Sequence, residues 1–104
     1  MPMLLRVIAF SATALVATLP AFAQDRAAIE AGAALYSEHC ATCHGERLVN
    51  SGSAFDLRKL APEDRPRFDK ALDEGKGQMP SWAGQLSPEE IDAIWAYIRS
   101  RVDR

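Results

Sequence analysis

Residues 40–48 read CATCHGERL, and they hold the only two cysteines of the 104-residue chain, three positions apart, with His44 directly behind the second. Four chemistries use thiols at this spacing. A disulfide between Cys40 and Cys43 closes a tiny loop and restrains little unfolded-chain entropy, so it is a poor staple. A thioredoxin-like redox pair follows a strand in a βαβ unit, and the sequence offers no convincing strand. A zinc site would have to take His39, Cys40, Cys43 and His44, all within six consecutive residues, whereas tetrahedral sites normally draw ligand pairs from separated segments. Covalent haem attachment at C-x-x-C-H uses every position. One helical turn apart, the two thiols project to the same side and each adds to a haem vinyl group as a thioether, while His44 presents its imidazole to the iron as proximal ligand.

Outside this stretch, the N-terminus has the order of a secretory signal. Met1–Arg6 carries one positive charge, residues 7–19 (VIAFSATALVATL) are uncharged and largely apolar, and Pro20 precedes small residues at 21–23. The apolar run falls short of the ~20 residues needed to span a bilayer. Cleavage is expected after Ala23, leaving residues 24–104 as one domain of 104 − 23 = 81 residues in the periplasm. Arg6 is the only charge lost, so 12 − 1 = 11 basic residues face 14 acidic ones, a net charge of −3. That mild acidity excludes a nucleic-acid binder, which would show a basic stripe, and no polybasic or lipidation signal holds the mature chain to a membrane. Export makes a disulfide the default fate of a cysteine pair. A domain this small leans on a disulfide, a metal or a cofactor to complete its core.

The rest of the mature chain reads as helices arranged around a flat apolar disc. Arg26 to about His39 (RAAIEAGAALYSEH) has Ala28, Gly32, Leu35 and Tyr36 on one face at helical spacing. Gly32 costs about 1 kcal/mol against alanine inside a helix, and close approach of another helix is the expected return. The partner is SPEEIDAIWAYIRSRV, with Ser87 as N-cap, Pro88 at the first helical position and Glu90 completing a capping box. Its expected apolar stripe is Ile91, Ile94, Trp95, Ile98 and Val102, and it is expected to cross the first helix at Gly32. RPRFDKALDEGKG reads as a shorter helix with Phe68, Ala71 and Leu72 on one face, ended by Gly75. Residues 45–61 read as a loop with a short turn of helix.

An iron held by His44 has a sixth position. With Met1 and Met3 removed, Met79 is the only methionine of the mature chain, in GKGQMPSW, where Gly75 and Gly77 permit a tight loop and Pro80 biases Met79 towards an extended conformation. Met79 is therefore the expected second axial ligand, against the alternative of an adaptable core filler. His39 lies on the same haem face as His44 and reads as a surface residue. Trp82 is expected to wall the haem pocket, and Arg58 and Lys59 are candidate propionate partners.

CATCH with His44, Gly32 and Tyr36 eight and four positions before Cys40, the Met79–Pro80 pair, and a closing helix with Ile94 and Tyr97 together resemble a small class I c-type cytochrome over essentially the whole mature chain. The resemblance implies an all-α cytochrome c-like fold, with N- and C-terminal helices crossing and one haem c between His and Met ligands. One departure stands out. The family usually has a proline after the attachment motif whose carbonyl accepts a hydrogen bond from the proximal imidazole, whereas residues 45–61 contain none, and a carbonyl in residues 53–55 is the expected substitute. The implied function is periplasmic electron transfer rather than enzymatic turnover, with redox proteins as partners: a dehydrogenase donor, and an oxidase or another cytochrome as acceptor. GKGQMPSW also resembles the methionine segment of cytochromes serving quinoprotein alcohol dehydrogenases. The competing readings are an open-iron peroxidase or small-ligand sensor, and a haem subunit resident in a dehydrogenase complex.

Overall fold

A computed structural model of the chain describes residues 21–50, 52 and 54–102, with side chains from Asp25 onward. The expected signal segment lies outside the described residues, apart from the backbone of its last three positions. Four helices follow in order: α1 (Ala21–His39), α2 (Ala41–His44), α3 (Arg65–Glu74) and α4 (Pro88–Ser100). Three 3-10 turns, Glu46–Leu48, Leu57–Lys59 and Pro62–Asp64, occupy the segment between α2 and α3. The described residues contain no strand, only an isolated antiparallel bridge between Lys76 and Met79. The all-α expectation is met.

Helix α1 begins at Ala21 rather than at the expected Arg26. Nothing in AFAQDR interrupts a helix, and its alanines favour one, so helix already covers the first described residues. Its crossing with α4 is set by Gly32. A Cβ placed there would stand 1.9 Å from the Ala93 carbonyl oxygen and 3.0 Å from Tyr97 Cβ, so only a hydrogen fits between the backbones. Tyr36, one turn on, packs against Tyr97 with ring centroids 5.4 Å apart.

The inner face of α4 is therefore rotated from the expected stripe. Ala93, Ile94, Tyr97 and Ile98 are buried, whereas Ile91, Trp95 and Val102 are half-buried. Counting apolar residues favours large side chains, but the closest approach to Gly32 takes the smallest, Ala93. Trp95 turns instead to Phe68 on α3, with ring centroids 5.1 Å apart. The capping box forms as expected: Glu90 N–H donates to Ser87 Oγ at 3.1 Å and Ser87 N–H donates to Glu90 Oε1 at 2.9 Å.

Helix α3 starts with Pro66 in its first turn, buries Phe68 and Leu72, and stops at Gly75, whose φ of 76° suits glycine. Arg65 donates to Asp69 at 2.7 Å and across to Asp92 of α4 at 2.6 Å. These are surface pairs, and they fix orientation more than they stabilise. Arg99 Nη1 donates to the Leu60 carbonyl at 2.6 Å, tying α4 to the segment before α3.

Candidate cofactor site

Helix α2 is a single turn, and its residues are the attachment motif itself. It is anchored to α1 through the Cys40 N–H, which donates to the Tyr36 carbonyl at 2.8 Å. His44 N–H donates to the Cys40 carbonyl at 3.0 Å, closing the turn that brings both cysteines to one side of it. Neither cysteine is in a disulfide; Cys40 is half-buried and Cys43 exposed. Burial, with a smaller contribution from Cys43, pushes the Cys40 thiol up to about 11, so it is held neutral rather than as a metal-seeking thiolate. Among the described residues no three His, Cys, Asp or Glu side chains converge as a metal-ion site requires.

The orientation of His44 is determined by its neighbours. Its Nδ1 lies 3.1 Å from the Phe55 carbonyl oxygen, within the 53–55 window expected for an acceptor that is not proline-borne. With Nδ1–H committed to this carbonyl, Nε2 is the nitrogen free to meet a metal. Tyr36 contributes from the other side: burial raises its hydroxyl above the ordinary tyrosine range, and it donates to the Gly45 carbonyl, directly after His44, at 2.7 Å. Tyr36 was legible as an apolar face residue and as part of the resemblance, but its hydroxyl partner, nine positions away, was not.

The segment carrying the Phe55 carbonyl is itself held. Asn50 Nδ2 donates to the Ala54 carbonyl and Asn50 Oδ1 accepts from Gly52 N–H at 2.7 Å. The Arg67 guanidinium of α3 lies over the Phe55 ring, 4.6 Å from its centroid. Asp56 Oδ1 accepts from Arg58 N–H and Arg58 Nε, each at 3.0 Å, and these bonds hold the Asp56 carboxyl below its ordinary value of 3.8. Arg58, a candidate propionate partner, thus has its guanidinium on Asp56.

Met79 sits in the turn that follows α3. Lys76 N–H donates to the Met79 carbonyl and Met79 N–H donates to the Lys76 carbonyl, both at 3.0 Å, so the GKGQM turn is closed by a pair of bonds. Gly75 makes this possible: a Cβ there would meet the Met79 carbonyl oxygen at 2.6 Å and Ser81 N at 3.0 Å. Trp82 N–H then donates to the Leu72 carbonyl at 2.6 Å, and Ser81 Oγ to the Asp73 carbonyl at 2.5 Å, anchoring the turn to the end of α3. Met79 and Trp82 are half-buried and pack against the core.

His39 departs from expectation. It is not a freely solvated surface residue: its ring meets Trp82 edge-on, centroids 5.2 Å apart, with Glu38 3.8 Å from Nε2. A groove of about 380 Å³ runs between α3 and α4, lined by Leu72, Trp82, Leu86 and Ile91 with Arg65 and Asp92 at its edge. It holds none of Cys40, Cys43, His44 or Met79. Two thiols on one turn, an imidazole with Nδ1 already bonded and a thioether on a braced turn are a donor set that suits haem c.

The family model described as "Cytochrome C oxidase, cbb3-type, subunit III" matches residues 27–98. Cytochrome c6 of Microcystis aeruginosa is 31% identical over 78 residues, covering 70% of this chain and 96% of that protein. The quinohemoprotein alcohol dehydrogenase ADH-IIG of Pseudomonas putida is 44% identical over 84 residues, covering 79% of this chain but 12% of the dehydrogenase. The Cbb3-type cytochrome c oxidase subunit FixP of Azorhizobium caulinodans is 32% identical over 82 residues, or 28% of its own length. No solved structure matches the chain significantly.

Proposed function

The chain belongs to the class I c-type cytochromes as a small monohaem member that binds haem c and transfers electrons, and from that premise we propose that it is a periplasmic shuttle with His44 and Met79 as axial ligands. Cys40 and Cys43 form the two thioethers. Residues 1–23 are removed on export, leaving residues 24–104 as the working domain. The donor is a dehydrogenase, of the quinoprotein type, and the electrons pass towards a terminal oxidase.

The observation that carries the ligand assignment is the bond between His44 Nδ1 and the Phe55 carbonyl. It selects the tautomer that leaves Nε2 available and increases the electron-donating power of the ring. Bound haem c supplies a one-electron couple at its iron. The chain's own residues then act by holding still: His44 is fixed by Phe55, Met79 by its paired bonds with Lys76, and both side chains keep water from the metal. Such rigidity favours fast exchange, because little has to rearrange when the charge changes.

A spectrum tests this directly. The purified ferric and ferrous proteins are expected to show a six-coordinate, low-spin haem c, and added carbon monoxide should leave the ferrous spectrum unchanged. Ready carbon monoxide binding by the parent protein would favour an open-iron peroxidase or sensor instead.

A second reading draws on the likeness to the quinohemoprotein alcohol dehydrogenase, of which the chain spans about an eighth. On that reading the cytochrome resides in a dehydrogenase complex. Co-purification of an untagged dehydrogenase with the cytochrome under native conditions would distinguish residence from shuttling.

A further inference from the structure

We propose that Arg67 is a positioning residue for the proximal imidazole: lying over the Phe55 ring, it holds the Phe55 carbonyl at hydrogen-bonding distance from His44 Nδ1. The inference deepens the proposed function and rests on His44 being the proximal ligand.

In this chain no proline supplies the acceptor carbonyl, so the task falls to an ordinary peptide whose backbone is free to rotate. Its direction must therefore be set by what holds the residues around it. On the N-terminal side, Asn50 bonds the Ala54 carbonyl and closes a local turn with Gly52. On the C-terminal side, Asp56 bonds the Arg58 backbone and side chain. Both bonds are local; the chain is next tied to the rest of the molecule beyond them, at Leu57, which packs against the core, and at Leu60, whose carbonyl accepts from Arg99. Phe55 is 42% exposed and stands outside the buried core, so burial alone does not fix its ring. One contact from the Phe55 ring to a helix is with the guanidinium of Arg67, 4.6 Å from the ring centroid, within the range of a cation–π attraction. Arg67 stands in the first turns of α3, which is packed on α4 through Phe68 and Trp95. A path of contacts thus runs from α4 through α3 and Arg67 to Phe55, and from its carbonyl to His44.

The sign of the effect on the reduction potential separates this role from a simple charge effect. Loosening the Phe55 carbonyl weakens the bond from Nδ1–H, makes the imidazole a poorer donor and favours the ferrous form, so the potential rises. Deleting a positive charge near the iron with the bond intact favours the ferric form, so the potential falls.

The test uses the haem-loaded protein and three variants: Arg67→Ala, Arg67→Lys and Phe55→Leu. The readouts are the reduction potential and the exchange of the His44 Nδ1 proton with deuterated water, followed by NMR. Phe55→Leu, which keeps every charge, is expected to raise the potential; Arg67→Ala and Phe55→Leu are both expected to speed exchange several-fold, and Arg67→Lys to exchange at close to the parent rate. Phe55→Leu keeps every charge and the carbonyl itself, so it remains decisive if Arg67→Ala fails to load haem. Parent-like exchange in Arg67→Ala, or parent-like potential and exchange in Phe55→Leu, overturns the positioning role. The parent's NMR spectrum separates the two levels: absence of hyperfine-shifted His44 ring signals overturns the ligand assignment, whereas shifted signals that do not move in the variants overturn the role of Arg67 alone.

Discussion

Met79 and the two cysteines are separable in what they contribute. Replacing Cys40 and Cys43 together with serine removes both thioethers, and the product is expected to show no haem stain after denaturing electrophoresis; a surviving stain would exclude attachment at CATCH. Met79→Ala leaves Cys40, Cys43 and His44 untouched, so it should keep its haem, bind carbon monoxide when ferrous and show a lower reduction potential, because a thioether favours the ferrous iron. An unchanged potential and spectrum would reduce Met79 to packing. Asp56 adds a pH dependence. Its carboxyl is held below 3.8 chiefly by the Arg58 side-chain hydrogen bond. A depressed carboxylate contributes stability that is fully present above the unfolded value and is lost as pH falls through the folded one. The stability difference between the parent and Asp56→Asn should therefore be constant at neutral pH and shrink only below 3.8, as read from denaturant midpoints across an acid titration.

Helix contacts give the larger stability effects. Gly32→Ala introduces a methyl 1.9 Å from the Ala93 carbonyl oxygen, so α1 and α4 must separate. A cost of about 3 kcal/mol, the upper end of ordinary overpacking, is expected in guanidinium unfolding, and a cost near zero would mean that the crossing is looser than 1.9 Å implies. Ser87→Ala removes the N-cap of α4 and should cost about 1 kcal/mol. Both sites were legible in the sequence for a shared reason. A capping box and a helix glycine are local signatures of what a neighbour must do, whether a backbone N–H three residues on or a backbone in close approach. What was not legible depended on partners far along the chain. Ala93 rather than Trp95 faces Gly32 because the fold selects for size at the crossing, His39 meets Trp82 across 43 positions of sequence, and the Phe55 carbonyl was confined to a three-residue window but fixed only by its turn. Arg67 had no signal at all, since a surface arginine on a helix is ordinarily solvated.

Charge over the whole domain bears on how it meets partners. Over residues 24–104 eleven basic and fourteen acidic residues give a net charge of −3, and Lys59, Lys70 and Lys76 are the only lysines of the sequence. Lys70 stands 4.0 Å from Glu74 along α3, and three arginines are paired within the molecule: Arg58 with Asp56, Arg65 with Asp69 and Asp92, and Arg99 with the Leu60 carbonyl. A dense cationic ring of the kind that steers docking onto acidic partners is therefore not expected. Val49 and Phe55, 62% and 42% exposed, flank the segment that holds His44 and offer apolar surface beside the site. Contacts of that kind are weakly dependent on ionic strength, whereas opposed charge patches lose their attraction as the screening length shortens from about 30 Å at 0.01 M salt to about 10 Å at 0.1 M. Electron exchange with an acidic redox partner, followed by stopped flow across this range, should change little; with a basic partner it should slow moderately as salt rises. A steep loss of rate with the acidic partner would require a cationic docking face that the distribution of lysines and paired arginines does not supply.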